Sequence, residues 1–164
     1  MPPLGLLPLP PMLGQETDMP LPTLAKMGAD NGSSQSFASG NAFVTITGWT
    51  SLFDTLSAFV AATGLYTAPA DGYYLVTAGI FTNTIPQNAD LFLSVFVSAA
   101  EKVRQAITTP ATGGALGNGA INLGITVPAS KNDVIRLAVT NFTGSTVALN
   151  NQPLSTYWSI AQQL

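Results

Sequence analysis

The side chains able to do chemistry are few. There is no histidine and no cysteine. That removes thiol chemistry, disulfides, every His-based triad, and the usual ligand sets for zinc, haem and iron–sulfur clusters. Carboxylates remain, with Asp54, Asp71, Asp90 and Asp133 spread through turns and strand starts. A paired-carboxylate hydrolase needs two such groups about 5–10 Å apart in a cleft, and nothing in the spacing pairs these. Asp71 and Asp133 read as turn residues, because an aspartate side chain bonds readily to nearby backbone N–H groups. Residues 109–119 hold four glycines, but no lysine follows them. The stretch therefore reads as a loop and not as a phosphate cradle. Asn31-Gly32-Ser33 matches a glycosylation acceptor triplet, a pattern common by chance. The five cations show one close pair, Lys102 and Arg104, with Glu101 beside them. Phosphate neutralisation needs clustered Lys and Arg, so nucleic acid is not an expected partner. The expectation is a protein without catalytic residues, cofactor or metal, one that binds and assembles.

The elements that must position its surfaces are strands. Residues 66–84 organise the chain: an extended entry, a tight turn at Pro69-Ala70-Asp71-Gly72, then a long strand. Tyr74, Val76 and Ala78 form one face of that strand, and Tyr73, Leu75 and Thr77 the other. Both faces are largely apolar, which predicts cover on both sides. Further strands are expected over 42–48, 90–98, 102–108, 120–127, 134–141, 146–150 and 154–164. Residues 49–62 carry helix-like and strand-like signals together, and the extended reading is preferred. Short strands with turn signals every ten or so residues predict an all-β sandwich. Residues 25–41 are small and polar, which reads as a linker. Charged residues are only 8% of the chain, against about 25% in ordinary soluble domains. Without disulfides, metal ligands or surface charge, burial between subunits is the natural source of stability.

Residues 1–24 hold seven of the twelve prolines. Proline at this density favours stiff, extended backbone. It also breaks every apolar run, and no basic segment leads, so neither a signal peptide nor a membrane span is expected. Leu4, Leu6, Leu7, Leu9, Met12, Leu13 and Leu21 make the segment too apolar for an ordinary disordered tail. It reads as an arm that docks on another protein.

Asp54, Phe59, Tyr66, Gly72 and Tyr74 are spaced as in the globular heads of complement first component. Over residues 42–164 the sequence resembles the jelly-roll family that those heads share with tumour necrosis factor. It departs at Gly48, where the family pattern has phenylalanine, and at Val76 and Ala78, where it prefers aromatics. The resemblance implies a jelly-roll β-sandwich and a homotrimer around a threefold axis. Tyr73, Tyr74, Phe81, Phe92, Phe96, Tyr157 and Trp158 are then the candidates for core and trimer interface. Some members bind Ca²⁺ near the axis, and Asp90 or Asp133 would be the residues to serve. A lone aspartate falls short of the six to eight oxygens that calcium takes.

Uncharged trimeric jelly rolls rich in Thr, Asn and Gly resemble bacteriophage virion proteins. The expectation is a structural protein of the virion, a capsid decoration (head-fibre or cement) trimer on the capsid surface. Residues 1–24 would dock on the major capsid protein, residues 25–41 would link, and residues 42–164 would form the trimerisation head. The alternative is the receptor-binding tip of a tail fibre or baseplate. It would read a host surface glycan through loops 86–89, 109–119 and 150–153.

Overall fold

The computed structural model describes residues 24–83, 85–109, 117–152 and 154–163. The arm residues Leu4, Leu6, Leu7, Leu9, Met12, Leu13 and Leu21 lie outside them, as does most of the 109–119 loop. The described chain is all strand. In order these are β1 (Lys26–Asp30), β2 (Ser36–Phe37), β3 (Gly40–Thr45), β4 (Thr50–Asp54), β5 (Phe59–Val60), β6 (Leu65–Thr67) and β7 (Gly72–Thr82). Then follow β8 (Asp90–Val97), β9 (Ala100–Thr108), β10 (Gly119–Ala129), β11 (Val134–Asn141), β12 (Val147–Ala148) and β13 (Tyr157–Gln163).

Two sheets face each other. The first runs β10-β7-β13-β1-β4, and the second β5-β6-β11-β8-β9 with β3 also paired to β11. β7 lies inside the first sheet, antiparallel to β10 along its whole length and to β13 from Tyr73 to Gly79. Alternation then sorts its side chains. Tyr74, Val76, Ala78 and Ile80 enter the sandwich, where they meet Leu91, Leu93, Val95, Ile135, Leu137 and Val139 of the second sheet. The described residues leave the other face of β7 uncovered: Tyr73 is exposed, and Leu75, Thr77 and Phe81 are half-buried.

One segment differs from the sequence reading, and another carries mixed signals. Residues 25–41, read as a linker, contain β1 and β2. β1 is paired on both sides, to β13 and to β4, and Met27 and Ala29 are buried in the core. Its alternation of polar with small apolar residues is too faint to stand out in a run of Gly, Ala and Ser. The adjoining Asn31 is fully buried, its amide donating to the Thr47 carbonyl (2.7 Å) and its oxygen accepting from the Ser33 backbone (2.8 Å). An amide so engaged is no acceptor for a sugar. Residues 49–62 are extended, as preferred, and split into β4 and β5 by a turn. Asp54 holds that turn, accepting from the Phe59 backbone N–H at 2.8 Å.

Asp71 and Asp133 are turn residues, and they tie two turns together. Asp71 accepts from the Lys131 backbone (2.7 Å), and Asp133 from the Ser130 backbone and the Ser98 hydroxyl (both 2.8 Å). These bonds hold the Asp133 carboxyl below the usual carboxylate range, the Ser130 N–H contributing most.

Tyr66 and Tyr74 stack edge to face, with ring centroids 6.1 Å apart. The Tyr74 hydroxyl donates to the Ala70 carbonyl at 2.6 Å, whereas the buried Tyr66 hydroxyl has no partner among the described residues. Burial, then the neighbouring Tyr74 and Asp54, push the Tyr66 hydroxyl well above its ordinary value. The two hydroxyls should therefore respond oppositely to deletion. Tyr74→Phe should cost about 1 kcal/mol, the net worth of one hydrogen bond. Tyr66→Phe should leave stability unchanged or raise it, since a buried unpaired group is removed. Urea denaturation of the two variants side by side measures both.

Candidate association face

The outward face of the first sheet is built row by row from its register. The row Asp30–Tyr157–Gly79–Asn122 crosses β1, β13, β7 and β10. The next row on the same face is Gly28–Ser159–Thr77–Gly124, and the one after it Lys26–Ala161–Leu75–Thr126. Gln163, Tyr73 and Pro128 form a further row at one end, and Phe81 and Ala120 lie at the other. β7, β10 and β13 contain no charged residue at all. Lys26 and Asp30, on β1, are the charges that these rows bring to the face.

Glycine makes this surface flat. The Tyr157 ring lies across Gly79, and its hydroxyl reaches Asn122 Oδ1 at 3.2 Å. A methyl group at Gly79 would collide with that ring and sit 2.5 Å from Asn122 Oδ1. The Phe53 ring likewise covers Gly28, where a methyl would stand 2.5 Å from Phe53 Cε1. Aromatic cover of a strand glycine replaces the missing side chain and restores contact area. Between the two rings, the Thr77 and Ser159 hydroxyls bond to each other at 2.6 Å. The result is a broad, polar-neutral plane with Tyr73 (61% exposed) and Tyr157 (41% exposed) standing on it. An open hollow of about 430 Å³ at its margin is lined by Tyr73, Pro128, Ala129 and Asp133.

The seven aromatics expected in core or interface divide three ways. Tyr74 and Trp158 are fully buried between the sheets. Trp158 packs there against Trp49 and Phe59, with centroids at 5.8 and 5.1 Å. Tyr73, Phe81 and Tyr157 lie on the association face. Phe92 and Phe96 form a third group, of which Phe96 is buried and Phe92 half-buried. They alternate with the inward residues of β8 and so point out from the second sheet, on the opposite side of the molecule. Sequence reasoning missed Gly28, Gly79 and Phe53. The available signal was a glycine directly opposite an aromatic, which is visible only once register is known.

The metal expectation finds Asp90 and Asp133 apart in their roles. Asp90 accepts from the Thr108 hydroxyl at 2.6 Å, and Asp133 holds its turn. Among the described residues no three His, Cys, Asp or Glu side chains gather as a ligand set.

No protein-family model and no curated protein matches this sequence significantly. Solved structures do match in fold. The Eiger tumour necrosis factor from S. frugiperda superposes with a TM-score of 0.64 at 16% identity, covering 86% of this chain and 93% of that one. Murine APRIL at pH 5.0 gives 0.61 at 10% identity, covering 85% and 99%. The globular domain of zebrafish complement 1qA gives 0.54 at 14% identity, covering 85% and 96%.

Gly28→Ala should lift the Phe53 ring and cost about 1 kcal/mol, at the lower end of overpacking effects. Gly124→Ala, whose methyl would meet Thr77 Cγ2 at an ordinary 3.9 Å, should stay within about 0.5 kcal/mol. Thermal denaturation of the pair checks the cover argument. With its two sheets, its strand order and these likenesses, the chain has the jelly-roll fold of tumour necrosis factor and the complement-type globular heads.

Proposed function

We propose that this chain is a non-enzymatic structural protein of a virion, a trimeric head that decorates a bacteriophage capsid and is held there by residues 1–24. The observation that carries the trimer is the outward face of the first sheet. Its three strands β7, β10 and β13 are without charge, and its aromatic rings lie flat on glycine. A surface of that kind is costly to leave in water and resembles the core of an obligate interface. The threefold arrangement comes from the family resemblance. One such face from each of three chains would then meet around the axis.

The capsid role rests on the arm. The sequence before Leu24 is dense in proline and leucine and holds only Glu16 and Asp18 as charges. The described chain enters β1 immediately after it, and the Leu24 carbonyl accepts from the Thr55 hydroxyl at 3.3 Å. Three arms on one trimer would turn a weak contact into an avid one wherever the shell offers matching symmetry. The virion surface is the proposed location.

Sedimentation of the intact protein at micromolar concentration should give three times the 17.0 kDa chain mass. Thr77→Lys places a cation at the centre of the face, so three like charges would meet in the trimer. It should yield folded monomers, and a stable monomer from the unaltered chain would refute the assembly. Deleting residues 1–24 should leave the trimer intact and abolish its incorporation into particles. Undiminished incorporation would refute the docking role alone.

A further inference from the structure

The outward face of the second sheet has a different chemistry. Both arginines of the chain, Arg104 and Arg136, lie on it with four of the eight phenylalanines. The contacts run without a break. Phe142 meets Phe92 edge to face at 5.7 Å, and the Arg104 guanidinium lies 5.3 Å from the Phe92 centroid and 5.2 Å from that of Phe43. Phe43 meets Phe96 at 5.0 Å, and the Arg136 guanidinium covers Phe96 at 4.2 Å. Phe43 and Phe142 remain 40% and 42% exposed, large apolar rings presented to solvent.

The two cations are not equivalent. Arg104 is held by Glu101 through two bonds of 2.8 Å, and Glu101 is held in turn by the Ser94 hydroxyl at 2.6 Å. Arg104 is thus a neutralised spacer between two rings. Arg136 has no carboxylate partner among the described residues, and its recorded bond is to the Thr45 hydroxyl at 3.1 Å. Its fork is fixed over a ring and its charge is uncompensated, inside a chain of net charge −3. Thr140, opposite Phe92 in the register, is buried with a hydroxyl that no described residue engages.

We infer that this aromatic–arginine face binds a carboxylate-bearing polysaccharide. Aromatic rings present flat apolar surface to the C–H faces of sugar rings, and a few fixed polar groups set orientation. Guanidinium matches a carboxylate in a two-point fork, which a neutral sugar cannot supply. Charge complementarity therefore selects a uronic-acid type of polymer. β8 and β11, which carry Phe92, Phe96 and Arg136, are each paired on both sides, so a peptide strand could add only at the margins of the patch, along β3 or β9. The face lies on the opposite side of the sandwich from the association face, so both can be used at once.

The test is calorimetric titration of the intact protein with polygalacturonate, with dextran as the neutral polymer and polyglutamate as the acidic peptide. Polygalacturonate should bind and dextran should not. Arg136→Gln should weaken binding at least about tenfold, the effect of losing one charge-assisted pair, in a protein that still unfolds cooperatively well above the titration temperature. Phe142→Ala, a change at an exposed ring, should weaken it independently and serves if Arg136→Gln does not fold. Lys131→Gln, in a turn away from the patch, should bind as the parent does. Absence of polygalacturonate binding, indifference to both patch variants, or equal affinity for polyglutamate would each overturn the inference.

Discussion

The register of β7 between β10 and β13 is the constraint on which the rest depends. Hydrogen bonding on both sides fixes which of its residues face the core and which face out. A slip by one residue would bring Tyr73, Leu75 and Thr77 inward and expel Tyr74, Val76 and Ala78. The core would lose its tightest packing, and the flat outer plane would vanish with it. The Asp71 carboxylate helps to hold this register, because it bonds the turn that starts β7 to the turn that follows β10, and Asp133 shapes that second turn from within.

From that single alignment come two surfaces of unlike character. The first sheet turns outward a plane of small and aromatic residues without charge in β7, β10 and β13. The second turns outward stacked phenylalanines threaded by both arginines. A chain with so few ionic groups has used its guanidinium groups on one side only. Self-burial suits the first plane, because little polar surface must be dehydrated there. Contact with a polar, acidic partner suits the second.

Much of the fold was legible before any coordinates. The turn at Pro69–Gly72, the long strand after it and the alternation in residues 90–98 each carry strong local signals, and the structure has them. Asp133 was readable as a turn residue because its bond to Ser130 is local, whereas the reach of Asp71 from its turn to Lys131 was not. β1 was not readable, because Gly28 and Ala29 have little side chain to reveal a face, and its place in the sheet is fixed by strands far away in sequence. The site was legible only in part for the same reason. Tyr73, Phe81 and Tyr157 could be named as aromatics, but a rule of residue type cannot separate them from Phe92 and Phe96. Only pairing across strands shows that the two sets point away from each other. The ladder that joins Phe43, Phe92, Phe96 and Arg136 spans three separate strands, so no window of sequence contains it.

The place where the chain enters the sandwich has a mechanical consequence. β1 begins two residues after Leu24 and is bonded along its length to β13 on one side and to β4 on the other. A load drawn through the preceding segment along the strand axis would pull against both ladders in shear, many bonds sharing the force together. An edge strand peeled from its end would surrender them one at a time. Tension applied ahead of β1 would thus be borne while the sandwich keeps its shape.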